Sequence, residues 1–80
     1  MKVKSVIVLG SGCSSCEKLN ENTKKAVSKL GLNVSVQYVT DLQKIMEFDV
    51  MQMPALVIND KVVSQGKVLN ENEVLEILQK

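Results

Sequence analysis

Val6-Ile7-Val8-Leu9 is an apolar run without alternation, which predicts a strand buried on both faces. Gly10-Ser11-Gly12 then breaks the run. From Cys13 onward, Cys16, Leu19, Thr23, Ala26, Val27 and Leu30 recur at three- and four-residue intervals, while Glu17, Lys18, Glu21, Lys24, Lys25 and Lys29 take the other faces. This is an amphipathic helix with its lysines late, where they complement the macrodipole, and Gly31 as its C′ stop. Val34, Val36 and Tyr38 alternate with Ser35 and Gln37, the pattern of a strand with one wet face. Thr40 followed by Gln43 predicts a capping box opening a short helix, with Leu42, Ile45 and Met46 on one side. Phe48 to Met53 is an apolar-leaning connector leading to Pro54, the single proline.

Ala55-Leu56-Val57-Ile58 is a second continuous apolar strand, and Asn59-Asp60 suits a two-residue hairpin turn because both residues tolerate positive φ. Lys61 to Gln65 returns as its partner and Gly66 ends it. Asn70 with Glu73 forms a second capping box, Leu69 can staple onto Val74, and Val74, Leu75, Ile77 and Leu78 supply the core face of a last helix. The predicted order is β-α-β-α-β-β-α. A strand-helix-strand start implies a parallel pair with a right-handed crossover, and the hairpin adds an antiparallel pair. With the continuous apolar strands central, the expectation is an α/β fold whose four-stranded mixed sheet has order 2-1-3-4 and helices on both faces.

The chain has 80 residues, which is one small domain over 1–80 with a limited core. Its net charge of +1 and interspersed lysines and glutamates give no reason to expect nucleic acid or an acidic membrane as partner. The positive start Met1-Lys2-Val3-Lys4 is followed by an apolar run that stops at Leu9, too short for a signal h-region or a membrane span. Cytoplasm is the expected address.

Cys13 and Cys16 are the only cysteines, so a multi-bridge disulfide framework is excluded. They stand where a strand ends and a helix begins. A helix N-terminus offers unpaired N–H groups and the positive end of the macrodipole, and both favour the thiolate, the species that attacks disulfides or binds metals. Cys13-Ser14-Ser15-Cys16 spaces the thiols one turn apart, close enough to form a disulfide ring. Cys16 falls on the apolar face with Leu19 and Thr23 and is expected to be shielded.

The element order, the CxxC after the first strand and Met53-Pro54 opening the third resemble the thioredoxin superfamily. The chain is most similar to its small glutaredoxin-sized members of archaea and bacteria, often described as redox-active disulfide proteins. The resemblance covers essentially the whole chain in element order. It implies a thiol-disulfide oxidoreductase in which Cys13 attacks a protein disulfide and Cys16 resolves the mixed disulfide, with no other cofactor. Helix-start CxxC thiols of such proteins have pKa values of roughly 3.5–7.5, which suits activity near neutral pH. It also implies a cis Met53–Pro54 peptide facing the cysteines. Gly12, Ser14, Ser15, Met53 and Pro54 would then contact substrate, and residue 53 would pair with an extended segment of it. Protein disulfides and an unidentified thiol or flavin-dependent reductase are the implied partners of a monomeric protein.

Some positions depart from the family pattern. Ser14-Ser15 matches neither the Gly-Pro of thioredoxins nor the Pro-Tyr of glutaredoxins. Ile7 takes roughly the place of the buried acid below the cysteines of thioredoxins, leaving water or Glu17 to exchange the Cys16 proton. Gly66 is followed by Lys67 and Val68 rather than by a second glycine and an acid, so a glutathione site is not expected. Phe48, Val50, Met51 and Met53 either form an apolar rim for protein substrates or fill core gaps. Gly10-Ser11-Gly12 matches a dinucleotide fingerprint only in its first half, since Ser15 replaces the third glycine.

The main rival is a soft-metal carrier for copper(I) or zinc on the same two thiolates. Such domains usually carry methionine where Ser11 stands, and they end in a strand. A purely structural or protein-binding domain is a further alternative.

Overall fold

The computed structural model describes residues 3–12 and 14–79. Its elements are β1 (Val6–Leu9), α1 (Ser14–Lys29), β2 (Val36–Val39), α2 (Leu42–Glu47), β3 (Ala55–Ile58), β4 (Lys61–Gln65) and α3 (Glu71–Gln79). The sheet has order β2-β1-β3-β4. β1 runs parallel to β2 with Val8 opposite Tyr38, and antiparallel to β3 with Leu9 opposite Ala55. β4 returns antiparallel to β3, with an irregularity in register at Leu56/Val57. The four-stranded mixed sheet expected from the strand pattern is thus the one observed.

The lack of alternation in β1 and β3 has its cause in two unequal cores. Val6, Val8, Leu56 and Ile58 face one side, where they pack with Leu19, Ala26 and Val27 of α1 and with Leu69, Val74 and Leu78. Leu9, Ala55 and Val57 face the other, where Ile45 of α2 closes a smaller cluster. Each valine, leucine or isoleucine among these, fully buried, stabilises by about 1.5–3 kcal/mol. Thr23 lies in the α1 interface, and its buried hydroxyl is satisfied by donating to the Leu19 carbonyl at 2.7 Å.

Local chemistry sets the boundaries. α1 ends in a Schellman motif: Leu32 N–H donates to the Val27 carbonyl at 3.2 Å, Gly31 N–H donates to Ser28 at 3.1 Å, and Gly31 has φ +64°. The hairpin turn uses φ 53° at Asn59 and 66° at Asp60. The Asn59 side-chain oxygen also accepts from Lys4 N–H at 2.6 Å and Ser5 N–H at 3.2 Å, tying the turn to the start of β1. The Asn70–Glu73 capping box is formed reciprocally, at 2.8 and 3.1 Å.

Two boundaries differ from expectation. β2 begins at Val36 rather than Val34, because pairing with Val6 starts there. The N-cap of α2 is Asp41, not Thr40: the Asp41 carboxylate accepts from Gln43 N–H at 3.0 Å. Either oxygen-bearing side chain can cap, and an aspartate is the stronger acceptor toward the positive end of the helix.

Candidate active site

Strand register brings the candidate residues to one end of the sheet. Leu9 is paired with Ala55, so Gly10 and Pro54 are next in line on the two central strands. Gly10 N–H donates to the Val39 carbonyl at 3.1 Å, and Gly66 N–H donates to the Pro54 carbonyl at 2.9 Å. The continuation of β1, the approach to β3 and the exit of β4 therefore meet at that end. α1 starts from the same place, since only Ser11 to Cys13 separate Gly10 from its first residue.

Gly12 is exposed, with φ +86°, and turns the chain into α1. Cys13 lies outside the described residues. Ser14 and Ser15 are exposed on the first turn of α1, while Cys16 is fully buried beneath it. The Met53–Pro54 peptide is cis; Pro54 is buried and Met53 is 38% exposed. Ser14 and Ser15 line a cleft of about 600 Å3 together with Lys18, Asn22, Val68 and Asn70. Gly12, Met53 and Pro54 do not line it.

The connector before Pro54 divides in two. Phe48 and Val50 pack against the α2-side core and act as filling. Met51, at 89% exposed, and Met53 stay on the surface. The loop is held to the end of β4, because Met51 N–H donates to the Gln65 side chain at 3.0 Å and the Gln52 side chain lies over Gly66.

The surroundings of Cys16 hold what the sequence pattern did not reveal. Ile7 sits with Leu9 on the α2 side of the sheet, opposite to the face that Cys16 touches. Gly10 lies directly against Cys16: a Cβ built there would stand 2.5 Å from Cys16 Cβ, 2.7 Å from its Sγ and 3.3 Å from Cε1 of Tyr38. Tyr38 stands opposite Val8 and packs with the α1-side core. Period-2 parity places Tyr38 on that face, but only the parallel register brings it beside Cys16.

No helix among the described residues is long and apolar enough to cross a membrane. A family model described as a thioredoxin domain matches residues 1–79. A thioredoxin of Methanocaldococcus jannaschii is 37% identical over 71 residues, covering 89% of this chain and 81% of that protein. A thioredoxin of Methanothermobacter thermautotrophicus is 27% identical over 71 residues, covering 89% of this chain and 92% of that protein. With this fold, and with a family match that runs nearly end to end, the chain belongs to the thioredoxin superfamily.

Proposed function

We propose that this chain is a thiol-disulfide oxidoreductase acting on protein disulfides through Cys13 and Cys16. A thioredoxin-like redox function accords with its family and with relatives named thioredoxin. The observation that carries the finer reading is the burial of Cys16 under the first turn of α1, at the sheet end that also holds Pro54 and Gly66. A buried second cysteine on the first turn is suited to attack a neighbouring sulfur and is poorly placed to meet a large substrate.

In the reductive direction, the Cys13 thiolate attacks one sulfur of a substrate disulfide, forming a Cys13–substrate bond and expelling the other sulfur as a thiolate. Cys16, having lost its proton, then attacks the Cys13 sulfur. The mixed disulfide breaks, the second substrate thiolate leaves, and a Cys13–Cys16 disulfide forms. The substrate has gained two electrons, and two protons taken from the protein thiols and water complete its dithiol. Gly12, Ser14, Ser15, Met53 and Pro54 are the residues assigned to hold the substrate segment. The pair itself carries the electrons without a further cofactor, and a thiol or flavin-dependent reductase resets it. On this reading the chain works as a monomer in the cytoplasm.

Insulin reduction tests the proposal. With dithiothreitol supplying the electrons, wild type is expected to accelerate precipitation of the insulin B chain, and Cys13→Ser or Cys16→Ser to lower the rate to that of the double-serine control. Cys16→Ser should also accumulate a mixed disulfide on Cys13. A wild-type rate equal to the double-serine control would remove the reductase reading. Stoichiometric copper(I) or zinc retained by the reduced protein would favour the metal carrier instead.

A further inference from the structure

We infer that Gly10 and Tyr38 form the seat of the Cys16 sulfur and set how fast Cys16 resolves a mixed disulfide. The inference rests on the resolving role proposed for Cys16. Gly10 is buried, and the missing side chain is what lets the Cys16 sulfur lie against the backbone at the end of β1. Its N–H is held by the Val39 carbonyl at 3.1 Å, so this floor is fixed to the strand that carries Tyr38. One edge atom of the Tyr38 ring and the Cys16 sulfur both lie within 3.3 Å of a single point above Gly10. The ring edge and the sulfur thus both border the space that a Gly10 side chain would fill.

The consequence is positional. Attack on a disulfide needs the three sulfurs near a line, so resolution depends on where the Cys16 sulfur is held. A methyl on Gly10 would have to stand roughly 1 Å further from Cys16 to reach ordinary carbon–carbon contact. Misplacement of about 1 Å at a reacting atom can lower a rate by as much as about 100-fold. Removing the ring would take away one border of the space beside the Cys16 sulfur. Tyr38 and Gly10 are therefore positioning residues: they act through Cys16 and touch no substrate.

Rapid mixing with excess dithiobis-nitrobenzoate separates the two steps. Attack by Cys13 releases one coloured thiolate and forms the aryl mixed disulfide. Resolution by Cys16 then releases the second. Gly10→Ala is expected to slow the second release by about tenfold or more while the first stays near the wild-type rate. Because Gly10→Ala could fail to fold, Tyr38→Ala provides the same test: several-fold slower resolution, with first release little changed. Tyr38→Phe keeps the ring and is expected to restore the wild-type second phase, although the Tyr38 hydroxyl is itself buried.

Wild-type resolution in Tyr38→Ala overturns the seat. Resolution as slow in Tyr38→Phe as in Tyr38→Ala also overturns it, because the hydroxyl rather than the ring would then be the operative group. Failure of the underlying reading looks different: wild type would release one equivalent only, as Cys16→Ser should.

Discussion

Gly66 combines two demands on one residue. Its φ of +74° lies in the left-handed region, and a Cβ there would collide with the Gln52 side chain. Gly31 has a similar φ of +64° but open space around its missing Cβ, so it isolates the conformational part. Gly31→Ala is expected to lose about 1–2 kcal/mol for the left-handed backbone alone. Gly66→Ala should lose more, and the excess should vanish when Gln52→Ala is added. Urea unfolding of the three variants measures this. Equal losses at Gly31 and Gly66 would mean that Gln52 swings aside without cost. The outcome bears on the site, since Gln52 lies in the loop that presents Met53 and Pro54.

At the level of elements, cap chemistry explains both what could be read in advance and what could not. β1 and β3 were legible because strands buried on both faces lose alternation, and Asn59-Asp60 was legible because few residue pairs accept two positive φ values in succession. The Asn70–Glu73 box was legible because its two hydrogen bonds lie within four residues. Thr40 and Asp41 were not separable: both offer a side-chain oxygen, and the choice depends on where the chain leaves β2 at Val39. Asp41→Ala is therefore expected to destabilise by about 0.5–2 kcal/mol, with Thr40→Ala near neutral. Chemical denaturation of the pair decides the cap, and a larger loss at Thr40 would reverse it. Tyr38 beside Cys16 belongs to a further class. That juxtaposition around Gly10 brings together α1 and β2, and no periodicity within either element encodes it. The cysteine motif was visible, whereas the placing of Gly10 and Tyr38 around Cys16 required the strand register.

The whole molecule is asymmetric about its sheet, and that asymmetry should govern where it opens. On one side α1 and α3 bury Leu19, Ala26, Val27, Val74 and Leu78 against β1 and β3. On the other, α2 has six residues and buries Ile45 alone. A helix of this length has no independent stability, since isolated helices shorter than about 12–15 residues are marginal in water. Its order comes from Ile45, the Asp41 cap and the flanking Phe48 and Val50. Local opening of α2 therefore exposes little apolar surface, whereas freeing β1 or β3 dismantles both cores. In native-state hydrogen exchange, the α2 amides from Ile45 to Glu47 are expected to exchange by local opening with little denaturant dependence. Val8 and Leu56 amides should exchange only through global unfolding, with the full dependence on denaturant. The connector from Phe48 to Met53 follows α2 directly, so on the function proposed above this soft element would let the Met53 segment adjust while Gly10 and Cys16 stay fixed on the rigid side. Protection of α2 equal to that of β1 would show instead that the two faces unfold as one unit, with the Met53 segment as rigid as the strands.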